Sequence, residues 1–443
     1  ADMSEAVRAN APPSAPLSVE DTGIDISDLI NLFTKILLGG SIDTVAKVAD
    51  AMKLPQRVAQ QLYEAATERM LVESLGQGGL GNPQQRFILT QRGREWAQQA
   101  LESNGYVGPA PVTLNDYIAR IQLQSISAER VSPAALAKCM DGLVMPDSMP
   151  DQIGPALNSG RPILLYGPPG NGKTSLAFRI GTAFATTVYV PYAFEAGGQI
   201  IKVFDPDVHK EVAPPADPFA GRLSIRATGH DARWVPCSRP FVVTGGELTL
   251  EMLDLQYNHA LKIYEAPLHV KASNGVFVID DFGRQLVQPE TLLNRWIVPL
   301  ENKVDYLKLH TGKSFQIPFD ELVVFSTNLP PSRLMDPAFL RRLPFKIEVG
   351  PPSRDAFRRI FHAIAREKGI ASGDETVDFI LEELTETNNF QLGGYQPRFL
   401  VDQLVSVSRY RGTLPAFDPG ILRIAIGNLF TRDHEGYRTG TPA

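Results

Sequence analysis

Cysteine is nearly missing from this chain. Cys139 and Cys237 are the only two in 443 residues, and they stand far apart. That pattern excludes a disulfide framework and a cysteine-built metal centre. Histidine is also sparse, and His259 and His269 lack the spacing of a metal-ligand pair, so both read as structural. No apolar run reaches the roughly 20 residues that span a bilayer, and no signal-like segment leads the sequence, which predicts a cytoplasmic protein with no membrane partner. Positive charge is not in excess either. Against 49 acidic residues stand 43 Lys and Arg, a net charge of -6, which argues against a chain whose main task is coating nucleic acid.

What is present is ordinary globular composition in a chain too long for one core, which predicts two or three domains. Residues 1–23, rich in Ala, Pro and Ser, read as a disordered tail. Residues 24–104 read as a small folded module. Leu29, Ile30, Leu32, Phe33, Ile36 and Leu37 share a helical face, a second helix covers about 42–49, and a third follows Pro55 to about 70. Two short strands, about 71–74 and 86–90, flank a glycine-rich tip at 76–82, and a helix at about 91–101 carries Trp96. Helices followed by a hairpin resemble a winged-helix domain. Acids cancel bases on its candidate recognition helix, where Arg57 and Arg69 face Glu64 and Glu68, so protein docking is favoured over DNA reading. Residues 105–113 read as a linker, 114–350 as an α/β domain and 351–443 as a helical domain.

The α/β domain is organised around GPPGNGKTS, comprising Gly167, Pro168, Pro169, Gly170, Asn171, Gly172, Lys173, Thr174 and Ser175. An apolar run at 162–166 precedes it and a helix start follows it, so G-x-x-x-x-G-K-[ST] sits between strand and helix. Glycines let the backbone curl its N–H groups toward phosphate oxygens, and the helix adds the positive end of its dipole. Lys173 supplies a point charge for the β- and γ-phosphates of ATP, and the Thr174 hydroxyl a ligand for Mg²⁺.

A second strand is expected at 187–194, followed by a polar, proline-rich stretch to about 239. A third apolar run, 275–282, ends in Asp280 and Asp281, where parallel sheets present ligands. Asp280 is expected to hold the metal and Asp281 to orient or deprotonate the attacking water; two solvated acids capping a strand remain the plain alternative. A fourth strand, 322–328, ends in Asn328, a candidate for fixing that water or contacting the γ-phosphate, or simply a turn residue before two prolines. Arg341 and Arg342 close a short helix after Asp336-Pro337. They are candidates for reaching a neighbouring subunit's γ-phosphate, or surface cations at a helix end. Arg398 opens a later helix and is placed to swing onto the γ-phosphate.

Together these residues resemble an AAA+ ATPase over about 114–432. The loop 167–174 matches Walker A, 276–281 Walker B, Asn328 sensor 1, Arg341/Arg342 the arginine-finger region, and Arg398 in YQPRFL sensor 2. The resemblance implies a parallel five-stranded sheet of order 5-1-4-3-2, a C-terminal helical lid, and a homo-oligomeric ring, commonly of six subunits, with ATP and Mg²⁺ between neighbours. The family usually carries Glu where Asp281 stands; one methylene less withdraws the carboxylate by about 1.5 Å. The stretch 241–271, expected to lead through a helix to 255, resembles the helix-2 insertion of MoxR-like and enhancer-binding branches, and there Tyr264 or Ile263 is either a pore residue gripping a polypeptide or core packing. The favoured function is remodelling of a protein client or adaptor by ATP turnover. A DNA-associated ATPase and a nucleotide-gated scaffold of low turnover are the alternatives.

Overall fold

The computed structural model describes residues 11–77, 85–213 and 229–429. The chain is α/β and gathers into two compact units. One is built from residues up to 130, 184–278 and 285–323, the other from 131–183, 279–284 and 324 onward. The expected 114–350 domain is therefore shared between units.

The first unit begins with helices Ile26–Leu38, Val45–Met52 and Gln56–Glu68. Polar caps start the first two: Asp25 accepts from the Ser27 N–H, and Thr44 from that of Lys47. Strands Val72–Gln77 and Gln85–Leu89 pair antiparallel, Val72 opposite Leu89, with a register shift between Ser74 and Gly76. Helix Gln91–Ser103 follows, and its Gly93 is obligatory: a Cβ there would stand 1.9 Å from the Leu71 carbonyl oxygen. Phe87 ties hairpin to helices, with its ring 4.6 Å from Tyr63 and 6.0 Å from Phe33. Burial of each such side chain contributes about 1.5–3 kcal/mol. The expected tip at 76–82 lies outside the described residues from 78 onward.

Two expectations for this unit fail. Residues 11–23, expected as part of a disordered tail, are fixed: Ser14 bridges His230, Val19 is buried, and its N–H donates to Gln61 Oε1. The expected linker 105–113 is also packed. Ala110 and Val112 are buried, and Val112–Thr113 is a strand parallel to Ala193–Ala196. Apolar side chains within polar, proline-rich sequence account for both.

The expected second strand at 187–194 is two strands, neither in the sheet of the phosphate loop. Thr187–Pro191 pairs antiparallel with Trp234–Ser238. Ala193–Ala196 joins a sheet ordered Gln256–Asn258, Ile263–Glu265, Gln199–Lys202, Ala193–Ala196, Val112–Thr113. The expected helix through 255 is only a 3-10 turn, Glu251–Leu253. Tyr264 and Ile263, weighed as pore residues, are core strand residues. Tyr264 is 1% exposed, and its hydroxyl accepts from the His310 N–H. This β-rich part packs with the N-terminal helices: Ala193 and Ile263 enter their core, and Arg233 Nη1 donates to the Thr22 and Pro111 carbonyls.

In the second unit, Ile163–Tyr166 forms a buried strand because Ile163, Leu164 and Leu165 are apolar on both faces. Ile163 stands opposite both Val324 and Phe345, in parallel ladders. The loop strand Ile163–Tyr166 thus lies between Leu322–Thr327 and Phe345–Glu348. Helices Pro133–Cys139 and Met149–Ser159 precede the loop strand. The C-terminal segment comprises helices Arg354–Glu367, Asp374–Glu382, Gln396–Arg411 and Pro419–Gly427 around a core that includes Phe357, Phe361, Leu400 and Leu404. The last helix ends at Gly427 rather than 431, and residues 430–443 lie outside the described set.

Candidate functional site

Every residue that meets at the phosphate loop belongs to the second unit. The loop leaves its strand at Gly167 (φ 143°), where a Cβ would stand 2.4 Å from the Val349 carbonyl oxygen. It turns through Gly170 (φ 75°) and Gly172 (φ 89°), conformations that disfavour a side chain. Helix Lys173–Gly181 then begins, with no side chain capping its first N–H groups. That geometry is a ready anion cradle.

Lys173 is 5% exposed, and its Nζ donates to the carbonyls of Gly167 and Pro168, both at 2.8 Å. Burial lowers its pKa, against the opposing pull of the Asp280 and Asp281 charges. The Thr174 hydroxyl donates to Asp280 Oδ2 at 2.7 Å. Asp281, in the left-handed region at φ 48°, accepts from Asn328 Nδ2 at 2.8 Å. A non-glycine residue there costs energy and persists only where its surroundings enforce it. Those surroundings are visible: the Phe282 N–H donates to the Ser326 carbonyl, Thr327 Oγ1 donates to the Phe282 carbonyl, and Gly283 (φ 100°) leaves no room for a Cβ against Leu334.

The C-terminal helices reach the same place. Gly394 N–H donates to Asn171 Oδ1 at 3.0 Å, and the Tyr395 ring lies so close to Gly170 that a Cβ there would stand 2.4 Å from it. Arg398 forms a two-pronged pair with Glu367, at 2.9 and 3.5 Å. The hydrogen bond from Arg398 holds the Glu367 carboxyl below its usual range, and the same bond raises the Arg398 pKa.

These groups surround a cavity of about 610 Å³, large enough for a nucleotide. Of the residues expected from sequence, Gly170 through Ser175, Asp280, Asp281, Asn328 and Arg398 line it. Gly167, Pro168 and Pro169 form the back of the loop, and Arg341 and Arg342 do not line the cavity. Sequence reasoning missed its remaining walls. Gly142, Leu143 and Val144 follow helix Pro133–Cys139. Ile360, Ala363, Ile364 and Glu367 form an i, i+3, i+4, i+7 stripe on helix Arg354–Glu367, a legible pattern whose destination was not.

The donor set suits a hard divalent cation. Among the described residues no three His, Cys, Asp or Glu side chains cluster as a metal cage. One hydroxyl touching one carboxylate is what magnesium requires when phosphates and water complete its shell. Thr174 and Asp280 would hold it. Among the described residues no helix is long and apolar enough to cross a membrane.

A family profile described as a domain of unknown function (DUF8689) matches residues 353–428. No curated protein matches the chain. Among solved structures the chain is similar to NtrX from Brucella abortus, at 17% identity and TM-score 0.39, covering 67% of this chain and 57% of that one. It is similar to a mutant of RuvB from Thermotoga maritima, at 13% identity and TM-score 0.32, covering 69% and 73%. Domain III of the replication initiation protein DnaA from Thermotoga maritima matches at 13% identity and TM-score 0.36, covering 68% and 98%. The chain thus spans little more than half the length of the NtrX structure. At such TM-scores these likenesses add nothing to the site geometry.

Proposed function

We propose that this chain is a magnesium-dependent ATPase of the AAA+ class. The observation that carries the reading is the hydrogen bond from Thr174 to Asp280, which brings the loop's hydroxyl and the strand-end acid to one metal position beside Lys173. The sheet order supports it. Of the 5-1-4-3-2 order this reading expects, the 5-1-4 portion matches the parallel placement of Ile163–Tyr166 between Phe345–Glu348 and Leu322–Thr327. In this reading helices 353–428 are the lid, with Arg398 on the phosphate side and Leu143, Val144, Ile360 and Ile364 as apolar walls for the base. Bound magnesium neutralises phosphate charge. The protein's own part is to hold the phosphates with Lys173 and loop amides, and to place water with Asp281 and Asn328.

The finer reading is a homo-oligomeric ring, with six subunits as the expected number, that converts lid motion into remodelling of a protein client. Arg341 and Arg342, off the cavity of their own chain, suit action on a neighbour's phosphate. We read the 24–104 module as a winged-helix fold used for docking protein, since Glu64 and Glu68 offset Arg57 on helix Gln56–Glu68 and Arg69 at its C-terminal cap. A MoxR-like placement rests on the sequence of 241–271 alone, and a cytoplasmic location on composition alone. The test is magnesium-dependent ATP hydrolysis by wild type and Asp280→Ala, repeated with unfolded protein and with duplex DNA. Turnover absent from both proteins would refute the ATPase. Stimulation by DNA that fades steeply with salt would replace the client with nucleic acid.

A further inference from the structure

Glu367 is an acid on the wall of a cavity built for a polyanion. Its helix presents Ile360, Ala363 and Ile364 to that cavity and then, one turn on, this single carboxylate. Like charge there should oppose phosphate binding, so its placement calls for a function. Its partner supplies one: Arg398 Nη2 lies 2.9 Å from Glu367 Oε2, on the adjoining helix Gln396–Arg411, and both side chains line the cavity.

We infer that Glu367 is a latch: it holds the Arg398 guanidinium away from the loop until a nucleotide triphosphate competes for it, so that Arg398 changes partner from carboxylate to phosphate. The inference rests on the ATP reading above and adds a positioning residue to it. Magnitudes favour an exchange over a fixed strut. Both side chains are about half exposed, at 51% and 57%. Pairs so exposed change an equilibrium constant by less than about tenfold. A terminal phosphate carries more charge and accepts a planar guanidinium equally well. The lid is fastened to the loop independently, through Gly394 to Asn171 and Tyr395 to Gly170, so the guanidinium can change partner without the lid detaching. Glu367 thereby sets a threshold: diphosphate leaves the pair closed and triphosphate opens it.

Four proteins test this: wild type, Glu367→Gln, Arg398→Ala and the double variant, each titrated with ADP and with a non-hydrolysable ATP analogue. Glu367→Gln should tighten the triphosphate about two- to fivefold and the diphosphate less. In the Arg398→Ala background the same substitution should lose most of its preference for triphosphate, because the residue it releases is gone. Equal effects in both backgrounds, equal effects on the two nucleotides, or weaker triphosphate binding by Glu367→Gln would overturn the latch. Glu367→Asp, which keeps the charge, should stay near wild type and guards against a folding artefact. Lys173→Ala separates the two levels. If it binds nucleotide like wild type, the ATP site itself is wrong; if it loses binding while the Glu367 series stays flat, only the latch is.

Discussion

Thr174 and Asp280 lie 106 positions apart in sequence, yet the hydroxyl of one donates to the carboxylate of the other across 2.7 Å. Thr174 sits in the first turn of the loop helix and Asp280 just beyond strand Val276–Ile279. If the pair holds magnesium, removing either oxygen removes a fixed ligand, and the charge stabilisation lost is several kcal/mol. Asp280→Ala should therefore lower kcat by at least about 100-fold. Thr174→Ser should retain most activity and Thr174→Ala little. Steady-state hydrolysis at saturating magnesium measures this, and a Thr174→Ala enzyme as fast as wild type would remove the hydroxyl from the site.

Lys173 is buried, and its ammonium is held by two loop carbonyls. A charge-assisted bond from it to a bound phosphate would be worth about 1.5–3 kcal/mol. Lys173→Ala should weaken nucleotide binding about 10- to 100-fold without lowering thermal stability by a comparable energy. A fluorescent nucleotide titration beside a melting curve checks both; unchanged affinity would contradict the assignment.

These two residues were legible because their chemistry is local. A short apolar strand, a glycine turn and Lys-Thr follow one another, and the backbone alone positions them. Asp280 and Asn328 were legible for the same reason, as polar residues ending buried strands. The cavity's other walls were not. Leu143, Ile360 and Tyr395 come from distant segments, and no local pattern states that Tyr395 packs on Gly170. The β-rich region was misread for a related reason. Its strands are two to five residues long, and several partners are remote, as where Thr187–Pro191 pairs with Trp234–Ser238 and Ile263–Glu265 with Gln199–Lys202. Non-local pairing thus decided that Ile263 and Tyr264 are core.

The arginine pair makes a prediction about assembly. Arg341 is exposed and Arg342 Nη1 donates to the Ala338 carbonyl of the preceding short helix, neither lining the cavity. If the proposed assembly is right and this guanidinium acts on a neighbour's transition state, Arg342→Ala should bind ATP normally yet hydrolyse it poorly. Mixing it with inactive Asp280→Ala subunits should restore activity, since some interfaces then combine an intact site with an intact arginine. Absence of rescue at every ratio would place the arginine outside the reaction, and Arg341 should then be tested in the same way.

Gly170 and Tyr395 form a steric pair that can be tested by stability. At φ 75°, Ala in place of Gly170 costs about 1–2 kcal/mol from backbone strain alone. Its Cβ would also stand 2.4 Å from the Tyr395 ring, so the ring or its segment must shift. Gly170→Ala should lower stability and nucleotide affinity together. Adding Tyr395→Ala should recover the part due to the ring, making the double variant less impaired than the sum. Strict additivity in a denaturation cycle would mean that ring and loop are uncoupled.

Glu321 is expected to make stability depend on pH in an unusual direction. It is 1% exposed, and among the described residues neither carboxylate oxygen has a partner of good hydrogen-bond geometry. Burial raises its pKa well above the ordinary value of 4.5; Lys303 opposes the shift, while Asp320 and Asp305 add to it. The folded chain thus keeps a proton that the unfolded chain releases above that value. Because the unfolded state then binds fewer protons, stability falls as pH rises from 4.5 toward the folded pKa. The slope approaches about 1.4 kcal/mol per pH unit for one full proton. Glu321→Met, similar in volume and free of the charge, removes that slope, so its advantage over wild type should be small at pH near 4 and grow toward neutrality. Urea unfolding at several pH values measures the difference, and a constant gap between the two proteins would show that Glu321 ionises freely in the folded state.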